Sequence, residues 1–565
     1  MVPELRKCFA AVAAASILAG CAGQVPPEGG PKDTVPPAII RTIPDSNAIR
    51  VHPAAVTLEL SKYVDRRSLE ESVFISPYLG ELHYDWSGKE VTITFKGTLR
   101  EHTTYVVNIG TDVADIHERT RMAAAFTLAF STGDSIDRGF VDGRVFDEKP
   151  EGVLIFAYRL SGLLPDTLDP TRTRPDYITQ TGKDGSFSLA HLALGPYRVF
   201  AVRDEYHNFV YDRQIDQYGV PPGDLLLSGG DPLVKDLWVR LSREDTARPF
   251  ISGARALDRR RIAVRFSEPL DSASITKGTF TVVDTLSAKA LPLRLVYLDR
   301  LQRSLVQVFT ETPIDSPAVY RLSAGGVVDL AGNVIDPTSR GETFEGTLGP
   351  DTVRPSIGVR DMKDSVRAVS LAPVFEVLFS DPVVPFALQS AAVLADSAKK
   401  SVPIRTLWTG PASFAVIPRG RLRGKEWYAL RVTMDSVRGL TGRTYRDSTF
   451  QFRFQTLDTR LTGSISGAVR DVRGGSGDIF LTATGINMTP AYYATLRLSS
   501  PGAFSFTELP EGKYTLSAFR DSAGTGEYAF GLPSPFRGSD RFTVNPDTLR
   551  VRARWGVEGV LVRFP

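Results

Sequence analysis

The chain has 565 residues, a formal net charge of +3, 42% hydrophobic residues and 23% charged residues. That length is too great for one hydrophobic core and suits several domains of about 100 to 200 residues, while the apolar content argues against a disordered chain. Basic and acidic residues are interspersed without a long run of one sign, which argues against the clustered basic face of a nucleic-acid binder.

The first element combines Arg6 and Lys7 with an alanine-rich apolar stretch from Phe9 to Ala19. The stretch is about half the roughly 20 residues a membrane-spanning helix needs. A basic start, a short apolar core and small residues before a break read as a secretory signal over residues 1–20. The only cysteines are Cys8 and Cys21. Removal of such a signal takes away Cys8, and the single cysteine left cannot form an intrachain disulfide. Gly, Pro and polar residues then form a tether over residues 21–33.

Leu18-Ala19-Gly20-Cys21 resembles a bacterial lipobox. The resemblance implies cleavage between Gly20 and Cys21, a diacylglycerol on the Cys21 thiol and attachment to a membrane through that anchor. Ala22 stands where an inner-membrane retention signal would place aspartate, which implies the outer membrane. The periplasmic face and the cell surface both stay open.

Beyond the tether, short motifs repeat at about 106 residues. Asp33-Thr34-Val35-Pro36-Pro37 returns as Asp245-Thr246-Ala247-Arg248-Pro249 and as Asp351-Thr352-Val353-Arg354-Pro355. Each is followed by period-two alternation, as in "VTLELS" from Val56, "IAVRFSEPLD" from Ile262 and "VFEVLFSDPV" from Val374. Such alternation predicts half-buried strands. Proline in Ser267-Glu268-Pro269 and Ser380-Asp381-Pro382 predicts where two of them stop. A second motif aligns "DGSFSLAHLALGPYRVFAVRD" from Asp184 with "PGAFSFTELPEGKYTLSAFRD" from Pro501, pairing Phe187 with Phe504, Tyr197 with Tyr514 and Arg203-Asp204 with Arg520-Asp521. The predicted fold class is all-β, a tandem array of five β-sandwich modules in the order A–B–A–A–B.

The A motifs, with Asp329-Leu330-Ala331-Gly332-Asn333 and the closing "FSTG" from Phe130, resemble the SbsA-type bacterial Ig-like domain. The resemblance covers residues 34–133, 246–348 and 352–457. In the first copy Ser61-Lys62-Tyr63 replaces the Ser-Glu-Pro of the second. The B motifs resemble the transthyretin-like, carboxypeptidase-regulatory-like domain over 136–243 and 461–565, a family in which the domain itself is non-catalytic. The whole resembles a multi-domain bacterial lipoprotein.

No Gly-x-Ser-x-Gly, zinc-protease, Cys-x-x-Cys or phosphate-loop motif occurs. No catalytic residue, metal site or cofactor is predicted. Asp204-Glu205-Tyr206-His207-Asn208 with Asp212 has the oxygen-rich composition calcium favours, against solvated hairpin carboxylates. His83 and His102 form a weaker metal pair. Asn487-Met488-Thr489 matches a glycosylation sequon. The expectation is a non-enzymatic, lipid-anchored envelope protein with a structural or adhesive role and an unidentified protein or glycan ligand. One alternative is a glycan- or protein-binding subunit of an outer-membrane complex, using Tyr206, Tyr211 and Tyr218. Another is an enzyme of unrecognised type.

Overall fold

The computed structural model describes residues 33–162, 167–349, 356–435, 437–440, 445, 447–488 and 492–565. Cys21, the third Asp-Thr copy at 351–355 and Thr489 of the sequon lie outside the described residues. The fold is all-β, built from two-sheet sandwiches. Contacts divide the chain into two units, one ending at Val210 and regaining Gly223–Leu241, the other formed by Tyr211–Pro222 with Ser242–Pro565.

In the first unit, Ile39–Ile43, Ala55–Leu60, Glu90–Phe95 and Leu82–Ser87 form one antiparallel sheet. Val73–Ser76, Thr104–Ile109 and Phe126–Ser131 form the facing sheet. Ala55–Leu60 alternates strictly, with Val56, Leu58 and Leu60 buried. These residues meet Val91, Ile93, Val107, Ile109 and Phe130 in one core. Each such side chain contributes about 1.5–3 kcal/mol by leaving water.

Thr104–Ile109 is buried along its whole length. Tyr105, Val107 and Ile109 enter the first core, while Val106 joins the next core, with Val141, Ile155, Phe187, Leu189 and Val199. That second sandwich pairs Tyr177–Gln180, Leu154–Arg159, Gly195–Arg203 and Leu225–Leu227 in one sheet. Its other sheet holds Ser186–Leu192, Gly139–Phe146 and Leu233–Arg240, the last joined in parallel. Buried polar groups also tie the two sandwiches together. Asn108 Nδ2 donates to the Ile178 carbonyl at 2.6 Å, and Thr111 Oγ1 donates to the Thr181 carbonyl at 3.1 Å.

The second unit contains three sandwiches. The first pairs Ile251–Asp258, Arg261–Phe266, Leu305–Thr310 and Leu293–Leu298 against a sheet of Ala290–Leu291, Thr279–Asp284, Val319–Gly325 and Gly341–Glu345. The next is centred on Phe375, Phe414, Phe452 and Phe454. The last sets Ala503–Pro510, Thr462–Arg470 and Gly556–Arg563 against Tyr493–Leu498, Asp478–Ile486, Gly512–Asp521 and Arg541–Val544. Its closing strand Gly556–Arg563 is again parallel to its neighbour. Residues Tyr211–Pro222 pack in this unit. Tyr218 Oη donates to the Gly531 carbonyl at 2.9 Å, and the Ser539 amide donates to the Pro221 carbonyl at 3.2 Å.

The strands predicted to stop at Ser267 and Ser380 end at Phe266 and Phe379. Short helices follow, at Arg66–Glu70, Ser272–Lys277 and Leu388–Ala391, none of them anticipated from alternation. Asp271 caps the second one, accepting the Ser274 amide at 2.9 Å. Between the strands Ser186–Leu192 and Gly195–Arg203 the chain turns at Ala193-Leu194, and Gly195 follows with φ +143°.

Candidate functional site

The repeated Arg-Asp pair of the B modules is structural. Arg203 pairs with Asp147 at 2.9 Å. The equivalent Arg520 and Arg541 both grip Asp471, at 2.9 and 2.8 Å, and the Asp471 side chain is wholly buried. Asp204 turns back on its own loop, accepting the Asn208 and Phe209 amides at 3.3 and 2.8 Å. Asp521 accepts Gly524, Thr525 and Gly526 in the same manner. Those backbone N–H groups hold the Asp521 carboxyl below the usual range. The loop considered for calcium is therefore a capped turn whose leading carboxylate is already engaged. Asp212 falls in the other unit, where its amide donates to Asp216 at 2.8 Å.

The tyrosines considered for ligand contact do not form a surface patch. Tyr206 is exposed, but Tyr211 and Tyr218 are buried. Their rings meet edge to face at 5.7 Å, and Tyr211 Oη donates to Glu244 at 3.1 Å. Tyr197 and Tyr514 each donate to a carbonyl four residues back, Ala193 and Pro510, at 2.8 Å. His83 lies on an exposed strand 3.5 Å from Asp85, whereas His102 sits in the turn before the strand Thr104–Ile109 of the opposite sheet. The two histidines are not joined as ligands.

A groove of about 570 Å³ lies in the second unit, lined by Tyr297, Leu298, Arg300, Phe379 and Pro411 among others. Among the described residues, Asp299 is the one carboxylate that lines it and no histidine does. Arg300 is engaged by Glu376.

One acidic cluster was not singled out by the sequence. Asp245, Glu268 and Asp329 bring carboxylate oxygens within 4.8 Å of one another. They come from the three A-module motifs: the Asp-Thr entry, the Ser-Glu-Pro strand stop and the Asp-Leu-Ala-Gly-Asn loop. An isolated bridge between Leu270 and Asp329 joins the second to the third, and Asn333 Nδ2 spans Asp329 Oδ2 and the Asp245 carbonyl, each at 2.9 Å. Asp329 is buried and Asp245 exposed. Burial pushes the Glu268 carboxyl above its ordinary value, and repulsion from Asp245 and Asp329 adds to it. The signal was present in the repeats, but the motifs are separated by up to 84 residues and only the fold brings them together.

No described helix is long and apolar enough to cross a membrane. The sequence profile of the bacterial Ig-like domain family matches residues 33–132. No curated protein shows a significant match to the chain. Among solved structures, the N-terminal part of the bacterial S-layer protein SbsC is 15% identical, over 37% of this chain and 44% of its own, with a TM-score of 0.17. Domains 1–6 of surface layer protein SbsC are 10% identical over 97% of this chain and 67% of that one, with a TM-score of 0.18. The BSP domain of a biofilm associated protein is 9% identical over 74% and 96%, with a TM-score of 0.16. The chain spans less than half the length of the first of these, and scores so low carry no inference about function. Residues 33–132 are thus similar to the bacterial Ig-like domain, within a chain of further β-sandwiches.

Proposed function

We infer that the protein is a non-enzymatic, lipid-anchored component of a bacterial envelope with a structural or adhesive role, held at the outer membrane through Cys21. One observation carries the reading. Around five separate sandwich cores, the side chains best suited to chemistry serve the fold. Asp204 and Asp521 cap turns, while Arg203 and Arg520 neutralise Asp147 and Asp471. The Ig-like match at residues 33–132 supports the same reading. Contact with a protein or glycan would fall to loops held by the rigid sheets. Buried Tyr211 and Tyr218 do not favour an aromatic glycan platform.

Fractionation of envelopes containing the wild-type chain or Cys21→Ser tests this. Wild type should partition with membranes and cross-link to an envelope protein or glycan. The variant should leave the membrane with its sandwiches folded. A wild-type chain found wholly in the soluble fraction, or a variant that partitions as wild type does, would overturn the reading.

A further inference from the structure

We propose that the turn Arg552-Ala553-Arg554-Trp555 of the last sandwich is a docking surface for the anionic headgroup layer of a membrane. The turn joins Leu549–Val551 to the closing strand Gly556–Arg563, and the Trp555 amide closes it by donating to the Arg552 carbonyl at 3.1 Å. Its backbone is pinned. The Arg554 amide donates to the Thr462 carbonyl at 2.7 Å. A Cβ on Gly463 would meet the Arg552 and Trp555 carbonyl oxygens at 2.4 and 2.5 Å, so glycine is what lets the turn lie this close. The side chains, in contrast, face solvent. Arg550, Arg552 and Arg554 are exposed, as is Lys513, the register partner of Arg550. Trp555 is 73% exposed, and Leu461, next to Thr462, is 63% exposed. Among the described residues, none of these basic side chains is ion-paired.

The second sandwich shows that the fold does not need this set. Its strand Leu225–Leu227 pairs with Tyr197 as Leu549–Val551 pairs with Tyr514. The Pro232 carbonyl accepts the Phe140 amide at 2.9 Å, as the Trp555 carbonyl accepts the Ser464 amide at 3.3 Å. The turn between is Ser228-Gly229-Gly230-Asp231, closed on itself by the Ser228 and Asp231 amides at 3.0 and 3.2 Å. It carries no basic or aromatic side chain, and Leu226 stands where the last sandwich has Arg550. Arg554 instead occupies left-handed backbone at φ +62°, a conformation that turns ordinarily give to glycine. The cationic and aromatic side chains of the last turn therefore serve no packing purpose in their sandwich.

Unpaired arginines beside an exposed indole and an exposed leucine match a lipid interface rather than a polysaccharide. Guanidinium groups pair with phosphate, and indole rings settle at the headgroup level. The Leu461 alkyl chain gains only by leaving water for apolar surface, which sugar hydroxyls do not offer. The adjoining segments carry the exposed carboxylates Glu511 and Glu558, which keep the local excess of positive charge small. Attachment therefore needs an anionic membrane and weakens as salt screens it.

Cosedimentation of residues 21–565 carrying Cys21→Ser, which keeps every described residue and removes both the N-terminal apolar stretch and any acyl chain, tests the surface. The probes are vesicles of phosphatidylcholine, vesicles that also contain phosphatidylglycerol, and heparin as a soluble anionic polysaccharide. The chain should bind the phosphatidylglycerol vesicles and not the phosphatidylcholine ones, less at high salt, with a blue shift of tryptophan emission. Arg552→Ser with Arg554→Gly, which imports the turn chemistry of the second sandwich, should weaken binding roughly twentyfold, at about fivefold per arginine. Trp555→Ser should erase the blue shift. Both variants change exposed side chains, and hydrogen exchange of Thr462–Arg470 should match the parent chain. Absence of vesicle binding, equal binding to the two kinds of vesicle, capture by heparin without capture by vesicles, or undiminished binding by the arginine variant would each overturn the proposal. The result does not depend on whether Cys21 is lipidated.

Discussion

Gly467→Ala should unlatch the last sandwich. Gly467 lies in the central strand Thr462–Arg470, in parallel register with Val560 beside an irregularity between Ile465 and Gly467. A Cβ there would sit 1.8 Å from the Val560 carbonyl oxygen and 2.6 Å from its carbon, where ordinary contact begins at 3.4 Å. These are backbone atoms, so no rotamer change relieves the clash and the strand Gly556–Arg563 must shift. Overpacking costs about 1–3 kcal/mol, and each ladder hydrogen bond lost adds about 1 kcal/mol. Restricting the unfolded chain returns only about 0.4–1 kcal/mol. The net is about 3 kcal/mol of destabilisation, equivalent to roughly a hundredfold increase in local opening. Gly502→Ala is the control, since nothing lies within 4 Å of its Cβ; it should be neutral or slightly stabilising. A multidomain chain has no single unfolding free energy, so the assay is hydrogen exchange of peptides covering 462–470 and 556–563. Equal exchange in the two variants would rule out a backbone clash at Gly467.

Phe187→Ala should cost the second sandwich about 3–5 kcal/mol, because Phe187 is buried among Val141, Leu189 and Val199; exchange in the last sandwich, where Phe504 is equivalent, should not change. Asp471→Asn removes the buried charge between Arg520 and Arg541 and should destabilise the last sandwich by about 3–5 kcal/mol, read from exchange of Gly512–Asp521. Asp364 is held down to about 2 by the Arg453 guanidinium and backbone amide. Its folded value lies below its unfolded one, so its contribution is complete above about pH 4 and is lost as pH falls through about 2. Thermal denaturation between pH 2 and 5 should show a shallower acid loss in Asp364→Asn, and the effect should be small because the pair is half exposed.

The all-β fold was legible because one face of most strands is buried, and period two writes that directly into Ala55–Leu60 and Ser186–Leu192. The paired motifs containing Phe187 and Phe504 were legible for the same reason. Parallel closure by Leu233–Arg240 and Gly556–Arg563 was not, since strand direction leaves no local pattern. The helices after Phe266 and Phe379 escaped notice because one turn is too short to show a period of 3.6. Tyr211 and Tyr218 looked like candidates for a surface because hydroxyl-bearing rings read alike in either setting; only partners such as Glu244 and Gly531 distinguish a core ring. The acidic cluster was written in three motifs already recognised one by one.

If, as proposed, a lipid on Cys21 holds these β-sandwiches at the envelope, mass spectrometry of the N-terminal peptide from membrane-extracted protein should find a chain beginning at Cys21, with diacylglycerol on sulfur and further acylation of the new amino group, since two or more acyl chains anchor stably where one does not. An unmodified Cys21 thiol, or cleavage at any bond other than Gly20–Cys21, would rule out the lipid anchor.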